Sequence, residues 1–356
     1  MKIIQVIPYF GIGGAEIMCE NLTRELKKLG HEVIAVSLYT KKTPITDRLE
    51  CIGTDIRYLD KKAGLDISMF TKLKTLFEQE KPDVVHTHLY AGKYVFPAAA
   101  AMKIKAVHTI HSVAKHELGM LSRKLNGLFF RHWGVVPVAL STAVQQTVME
   151  EYKLPPERVP VVMNGIDLSK CRVKTDYNAG EVFRIVHVGN FSDVKNHKGL
   201  VEAFEVFNKK HPDSQLHLIG DGKNRQQTEQ SVRTKGLEDK VIFHGVQADV
   251  HKFISQMDVF VLSSLYEGVP MSIAEAMGSG MPVVATAVGG VPDMLDQSCA
   301  KLVPESAAIA EALEDYYQNC DLRKSHGEKA LKKSGRFCAP GMAEGYMEIY
   351  CQKCGR

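Results

Sequence analysis

The stretch that decides the fold is SSLYEGVPMSIAEAMGSGMPVVATAVGGVPD, from Ser263 to Asp293. It begins where the apolar run VFVL ends, and it places Glu267 in the loop that follows. The pattern predicts a helix from about Met271 and a second buried strand at PVVATA. A strand, a short loop, a helix and another strand in this order are typical of an α/β protein.

The same alternation extends in both directions along the chain. Val- and Ile-rich runs suit strands buried on both faces, as in a parallel sheet covered by helices. The first half offers KIIQVIP, EVIAVSLY, DVVHTH, KAVHTIH, VPVALS and VPVVMN. The second half offers FRIVHVG, QLHLIGDG, KVIFHG, VFVLSS and PVVATA. Amphipathic patterns such as AEIMCENLTRELKKLG separate these runs and predict helices.

Two doubly wound, Rossmann-like domains are predicted, because 356 residues exceed the size of one ordinary core. The polar segment NGIDLSKCRVKTDYNAGEV separates the two sets of strands. We place the first domain at residues 1–165 and the second at 166–337, and we expect a final helix at 338–356 to pack back on the first. Ligands of such sheets bind at the carboxyl ends of the strands, so we expect the two domains to face each other across a cleft.

The composition is that of a globular protein, with 45% hydrophobic residues and a formal net charge of +4. This mild charge does not predict nucleic acid as a partner. The eight cysteines are mostly isolated and no secretory leader precedes the first strand, which predicts a reducing, cytoplasmic environment. No apolar run reaches the roughly 18 residues that a membrane span needs.

Glycine-rich turns follow several predicted strands. In PYFGIGGAEIM, Gly13 and Gly14 precede the first helix, whose start offers amide groups to an anion. A dinucleotide-binding fingerprint needs a third glycine at Glu16, so an NAD-dependent dehydrogenase stays only as an alternative, beside a simple tight turn. Gly220 lies in a similar turn, LIGDG. Lys195, in the loop before a helix, is either a phosphate ligand or a solvated lysine.

Two neighbouring strands end in histidines, at His86, His88, His108 and His111. Imidazole is a common metal ligand, but no acidic or cysteine partner is near in the sequence, so we predict no metal site. Side chains that merely cap the sheet are the alternative. We expect His111, just past its strand, to hydrogen-bond the substrate.

Glu267 and Glu275 flank a run of small residues. An ionised carboxylate only accepts hydrogen bonds, so beside an anion held at a helix start it must face hydroxyl groups. Hydroxyl groups together with phosphate characterise a sugar phosphate or a nucleotide. Alternatively, Glu267 is only an acid that the helix dipole favours at a helix start. The alternative for Glu275 is an acid on the exposed surface of a helix.

The run EGVPMSIAEAMGSGMPVVATAVGGVPDML resembles the Glu-x7-Glu signature of retaining, nucleotide-sugar-dependent glycosyltransferases of the GT-B fold, family four. The similarity covers nearly the whole chain, through GGAE, DVVHTH, HTIHS, VVMNGID, VGNF, KNH and LIGDG. The resemblance implies sugar transfer from a nucleotide sugar, with a UDP-sugar as the expected donor, to a hydroxyl acceptor. The donor is a substrate, and no cofactor is implied.

The resemblance also implies roles for individual residues. Of the three catalytic residues, Glu267 would contact the donor sugar, Lys195 would neutralise the leaving diphosphate and His111 would lie near the reacting carbon. Glu275 would bind the ribose diol. The other donor-binding positions would lie along the sugar, the diphosphate and the base: Gly13, Gly14, Asn190, Gly220, Gly245, Val246, Gly268, Val269, Pro270 and Met271.

One position departs from the family pattern. Many members carry Arg where this chain has Asn190, five residues before Lys195, and that Arg shares the charge of the diphosphate. We interpret Asn190 as a reduced positive charge, offset by a neighbour such as Lys198. A non-catalytic nucleotide-sugar-binding protein stays as an alternative.

The chain contains no Asp-x-Asp motif, so the resemblance implies a metal-independent reaction in which Lys195 and helix starts stabilise the leaving group. No nucleophile paired with a general base is evident, which agrees with a front-face mechanism that retains the anomeric configuration. An epimerase or hydrolase of the same fold is the alternative. The expected setting is cell-surface polysaccharide or glycolipid synthesis.

The segment KHELGMLSRKLNGLFFRHW, residues 115–133, is basic and partly amphipathic. It fits either a helix resting on the inner face of the cell membrane, near a lipid-linked acceptor, or a helix packed on its own domain. The final CQKC holds one Cys-x-x-Cys pair, too few ligands for a zinc site.

Overall fold

The computed structural model of the chain describes residues 1–117, 119–247 and 249–352. Within these residues the chain forms two compact units. The first unit consists of Met1–Ile166 together with the chain from Phe337 onward, and the second consists of Asp167–Arg336.

The first unit contains six strands among its described residues: β1 Lys2–Ile7, β2 Glu32–Ser37, β3 Asp55–Tyr58, β4 Val84–His88, β5 Lys105–Ile110 and β6 Val136–Ala139. They pair in parallel in the order β3-β2-β1-β4-β5-β6. The order reverses between β1 and β4, and ligands of open α/β sheets bind at the carboxyl ends beside such a reversal.

Helices cover both faces of this sheet: α1 Gly14–Lys28, α2 Pro44–Cys51, α3 Ser68–Glu80, α4 Gly92–Ala101, α5 Ala114–Glu117, α6 Met120–His132 and α7 Thr142–Tyr152. Successive residues of a strand point to opposite faces. Accordingly, Ile4 and Val6 pack in one core cluster, while Ile3 packs in another with Met18 and Leu22 of α1.

The second unit contains six strands among its described residues: β7 Phe183–Val188, β8 Ser214–Ile219, β9 Val241–Gly245, β10 Val259–Leu262, β11 Val283–Thr286 and β12 Lys301–Val303. Their order is β12-β11-β10-β7-β8-β9, again parallel. The helices are α8 His197–Lys210, α9 Arg225–Thr234, α10 Val250–Ile254, α11 Met271–Gly278, α12 Val291–Met294, α13 Ile309–Gln318 and α14 Cys320–Ser334.

The last helix, α15 Ala339–Cys351, belongs to the first unit. Its Met342 and Tyr346 join the core cluster that holds Met18 and Leu22 of α1. Residues 353–356, with the second cysteine of CQKC, lie outside the described residues. No helix in the described part of the chain is both long and apolar enough to cross a membrane.

The predicted fold class is confirmed, because each unit is a parallel sheet between layers of helices. The predicted strand at VPVVMN is wrong, since only Val161 bridges to Ala139 there. β3 and β12 were not predicted from the sequence because both are short edge strands, and neither carries a continuous buried apolar run. The segment 115–133 holds two helices, α5 and α6.

Candidate functional site

Three turns at the carboxyl edge of the second sheet are joined by backbone hydrogen bonds. The Gly189 amide donates to the Ile219 carbonyl at 3.0 Å, and the Gly220 amide donates to the Gly245 carbonyl at 2.9 Å. Gly220 has a φ of 137°, and a Cβ there would lie 2.1 Å from the Gly189 carbonyl oxygen. Only glycine allows this approach. Gly220 and Gly245 therefore lie together, and Val246 follows as an exposed apolar residue.

Lys195 and Glu267, 72 positions apart, meet at the same edge. Lys195 Nζ lies 2.6 Å from Glu267 Oε1, and the Ser264 hydroxyl donates to that oxygen, also at 2.6 Å. The Lys195 and Glu267 side chains are only 19% and 11% exposed. Partial burial strengthens the attraction between the two charges, because less water surrounds them to screen it. The structure thus holds one cation and one carboxylate oxygen in a fixed arrangement.

The turn after β11 holds Glu267 in place. The Gly290 amide lies 3.3 Å from the Glu267 carbonyl oxygen, and the Thr286 hydroxyl donates to the Ser264 carbonyl at 2.7 Å. Gly289 has a φ of 52°, and a Cβ there would lie 1.9 Å from the Glu267 carbonyl oxygen. We did not predict a role for these residues. Their signal was the Gly pair in VGGVPD, at the end of the deciding stretch.

Two helices begin beside this ion pair. α8 begins at His197, after the Asn196 side chain caps its first turn by accepting from the Gly199 amide. α11 begins at Met271, directly after the buried run Gly268–Pro270. Because the N-terminus of a helix carries partial positive charge, both helix starts favour an anion at this edge.

Asn190 is exposed, and it lies against the turn after β8, where a Cβ on Gly222 would be 2.2 Å from its Oδ1. Lys198, the neighbour expected to offset the reduced charge, lies on the solvent side of α8. Its side chain is 75% exposed, and its Nζ lies 4.0 Å from Glu202 one turn further along α8. The cation that the structure holds at this point is Lys195.

Glu275 is buried in α11, with 8% of its surface exposed, so the alternative of a surface helix acid is wrong. Burial raises the pKa of its carboxyl group to about 7, and the nearby charge of Lys170 opposes that rise. A carboxyl group in this range changes its charge near neutral pH.

Replacing Glu275 by Gln is expected to stabilise the fold at neutral and alkaline pH. A raised pKa keeps the folded form protonated while the unfolded chain ionises, so the wild type loses stability as pH rises from about 4.5 to about 7. The loss approaches about 3 kcal/mol. In urea unfolding, the free energy of unfolding of E275Q relative to the wild type should increase between about pH 5 and about pH 8. Equal gains at both pH values, or the same trend in the exposed control E311Q, would contradict a buried titrating carboxyl.

In the first unit, Glu16 folds back over the start of α1. Its carboxylate accepts hydrogen bonds from the amides of Gly13 and Glu16, and burial raises its pKa. A Cβ on Gly13 would lie 2.5 Å from Glu16 Oε2, so the glycine makes room for the carboxylate. Glu16, where a dinucleotide site would have glycine, fills the place of an anion.

His111 lies at the end of β5 in a chain of polar contacts. Its Nε2 is 3.1 Å from His88 Nδ1, and its backbone amide donates to Glu117 Oε1 at 3.0 Å. Burial is the main cause that lowers the pKa of His111 to about 3 and raises that of Glu117 to about 8. His111 is thus an uncharged imidazole. We did not predict Glu117 as its neighbour, and no spacing in the sequence indicates it.

The other histidines of these strands are buried in the sheet. His86 contacts the Tyr350 hydroxyl at 2.6 Å and the Thr109 hydroxyl at 2.7 Å. His108 Nδ1 lies 2.7 Å from the Thr87 hydroxyl. Among the described residues, no group of three His, Cys, Asp or Glu side chains is placed to hold a metal ion.

Comparison with known proteins identifies the family and the fold. The model of glycosyl transferases group 1 matches residues 174–333, and that of glycosyltransferase family 4 matches residues 12–170. The chain is 26% identical over 375 residues to N-acetyl-alpha-D-glucosaminyl L-malate synthase of Bacillus anthracis, covering 98% of this chain and 96% of the relative. It is 26% identical over 294 residues to the UDP-Gal:alpha-D-GlcNAc-diphosphoundecaprenol alpha-1,3-galactosyltransferase of Escherichia coli, covering 75% of each.

Among solved structures, Anabaena Alr3699/HepE in complex with UDP and glucose superposes with a TM-score of 0.86, at 18% identity over 98% of this chain and 99% of that one. Two Rossmann-like units with these neighbours define a protein of the GT-B fold. The two family models together span nearly the whole chain, which belongs to the group 1 glycosyltransferases. It is a glycosyltransferase that uses a nucleotide-sugar donor.

Proposed function

We propose that the chain transfers a sugar from a UDP-sugar to a hydroxyl acceptor with retention of the anomeric configuration. The observation that carries the proposal is the pairing of Lys195 with Glu267 between two helix starts. The name of the Escherichia coli relative gives UDP-Gal, and the Anabaena structure holds UDP and glucose, which supports UDP as the nucleotide.

In the proposed reaction, the bond between the anomeric carbon and the diphosphate oxygen breaks while the acceptor oxygen bonds to the same face of that carbon. The acceptor proton passes to the departing diphosphate. Negative charge grows on this leaving group, and Lys195 with the starts of α8 and α11 stabilises it. The carboxylate of Glu267, oriented by Ser264, accepts hydrogen bonds from the sugar hydroxyls. No Asp-x-Asp motif is present, so the proposed mechanism needs no divalent ion.

The test is a panel of UDP- and GDP-sugars, with release of the nucleoside diphosphate measured in the presence and absence of EDTA. We expect turnover with at least one UDP-sugar, unchanged by EDTA, and a product whose anomeric proton shows the configuration of the donor by NMR. An inverted product, or turnover that requires added Mg²⁺, would contradict the mechanism.

We also propose that the first unit touches an anionic membrane through α6, as suits a lipid-linked acceptor in polysaccharide or glycolipid synthesis. Leu121, Leu125 and Leu128 recur at helical spacing and are 74%, 38% and 48% exposed. Lys124 and Arg131 are also exposed on this helix. An apolar stripe beside basic side chains is the pattern of a helix lying in the membrane interface.

Co-sedimentation with vesicles of phosphatidylglycerol and phosphatidylcholine tests this contact. We expect binding that weakens with added salt and that the double variant L121E/L125E loses. V206E, which places a glutamate on the exposed face of α8, should bind like the wild type. Equal binding of wild type and L121E/L125E would remove the proposed role of α6.

A further inference from the structure

A group of lysines and tyrosines lies at the carboxyl edge of the first sheet, and the reaction described above does not use it. We call it the Lys–Tyr cluster: Lys61, Lys93, Tyr39, Tyr90 and Tyr94. Lys61 Nζ lies 5.0 Å from the ring centre of Tyr39 and 5.5 Å from that of Tyr94. Lys93 Nζ lies 5.4 Å from the ring centre of Tyr90 and 5.1 Å from that of Tyr94. Two ammonium groups thus share one ring.

Hydrogen bonds tie the cluster together. Lys61 Nζ donates to the Tyr39 hydroxyl at 3.2 Å and to two backbone carbonyls. The Tyr39 and Tyr90 hydroxyls are hydrogen-bonded, which lowers the pKa of Tyr39, while burial raises the pKa of Tyr90. The Tyr94 hydroxyl donates to the Gly64 carbonyl at 3.4 Å. Contacts within the protein therefore hold the rings and Lys61 in place.

The lysines of the cluster are not paired with carboxylates in the part of the chain that the structure describes. Among the residues that the structure describes, no carboxylate forms an ion pair with Lys61 or Lys93, nor with Lys41, which lies 5.5 Å over the ring of Tyr9 beside them. Asp66 is close in the sequence, but its carboxylate accepts hydrogen bonds from the Ser68 hydroxyl and the Lys62 amide. Because Lys61 is only 6% exposed, its charge acts in a poorly screened environment.

The backbone before two cluster residues has an uncommon conformation. Asp60, just before Lys61, has a φ of 51°, and Leu89, just before Tyr90, has a φ of 54°. Non-glycine residues adopt this left-handed region at an energetic cost, which the surrounding structure must offset. In the second unit, Asn196 has a φ of 49°, directly after Lys195. Both edges thus place a lysine next to such a residue.

We propose that the Lys–Tyr cluster binds an anionic group, a phosphate or a carboxylate, on the acceptor of sugar transfer. This inference rests on the proposed function. Lys41 is exposed and Lys93 is half-buried, so both can contact the anion, and the buried Lys61 adds its charge. The tyrosine rings offer apolar faces to the carbon skeleton of the acceptor. β4 pairs with β5, so the cluster lies on the same sheet edge as His111.

The experiment compares anionic acceptors with matched neutral ones: glycerol 3-phosphate with glycerol, glycerate with glycerol, and phosphatidylglycerol vesicles with phosphatidylcholine vesicles. With a donor from the UDP-sugar panel, we expect the anionic member of at least one pair to have a KM at least about tenfold lower. The soluble and vesicle arms separate a free phosphate from a lipid headgroup. Equal use of anionic and neutral acceptors would overturn the proposal.

Variants separate the cluster from a general effect of charge. K93Q should raise the KM of the anionic acceptor about tenfold while the donor KM and the slow donor hydrolysis stay unchanged, and K93R should restore the acceptor KM. K74Q, which removes an exposed charge from α3, is the matched control and should behave like the wild type. An unchanged acceptor KM in K93Q would overturn the role of the cluster.

A failure of the proposed function looks different, because no donor is then cleaved with any acceptor. In that case calorimetric titration with glycerol 3-phosphate still tests the cluster. Binding by the wild type that K93Q weakens and K93R restores supports the anion site. Absence of binding, or equal binding by K93Q, overturns it.

Discussion

Replacing Lys195 by Ala is expected to lower kcat by about 100- to 1,000-fold, the effect of removing one charged contact to a developing anion. Lys195 is the cation that the structure holds between the starts of α8 and α11, and Asn190 supplies no charge beside it. The variant also leaves the largely buried Glu267 carboxylate without its cation. Steady-state transfer from the preferred UDP-sugar measures the effect.

Lys198→Ala is the matched control for Lys195→Ala. It removes the same charge three residues further along, from a side chain that faces solvent and pairs with Glu202. We expect this control to keep nearly the full rate. A normal rate in Lys195→Ala, or equal losses of rate in both variants, would contradict the proposal that Lys195 stabilises the leaving diphosphate.

Replacing Glu267 by Ala is expected to lower kcat/KM on the order of 100-fold, because the donor sugar loses a charged hydrogen-bond acceptor in a sheltered site. Glu267 is held by Ser264, Lys195 and the turn at Gly289, so little can take its place. Affinity for UDP alone should change little, since UDP lacks the transferred sugar whose hydroxyls Glu267 contacts. Transfer rates and calorimetry with UDP measure the two effects.

The double variant K195A/E267A tests whether the two side chains act as one unit. Side chains in direct contact show non-additive effects, and these two are 2.6 Å apart. The double loss should therefore be clearly smaller than the product of the single losses. If transfer survives intact in Glu267→Ala, the proposed sugar contact is wrong.

The local pattern was sufficient to predict the sheets and most of their elements. Buried parallel strands such as β10 and β11 carry continuous apolar runs, and α11 begins at the predicted Met271. The edge strand β3 escaped prediction because half of its residues face solvent. The wrongly predicted strand at VPVVMN shows the converse, since this apolar run forms only a single bridge, from Val161 to Ala139.

The site could be predicted only as a set of separate residues. The sequence indicates Lys195 and Glu267 one at a time, and their direct contact depends on the packing of two loops. The burial of Glu275 depends likewise on neighbours that are distant in sequence. The sequence shows Glu16 where the dinucleotide fingerprint needs a glycine. Its contact with Gly13 can be seen only in the structure. Spacing identifies residue types, whereas contacts come from tertiary packing.

The imidazoles inside the first sheet set a limit on acid tolerance. His86, His88, His108 and His111 all have lowered pKa values, with burial as the main cause. As pH falls below the ordinary histidine pKa of about 6.5, the histidines bind protons in the unfolded chain but stay neutral in the folded sheet. Each proton that binds only to the unfolded chain shifts the folding equilibrium toward unfolding, and the effects of the four histidines add. Acidification therefore destabilises this unit, because protons bind to these core histidines only when the unit unfolds.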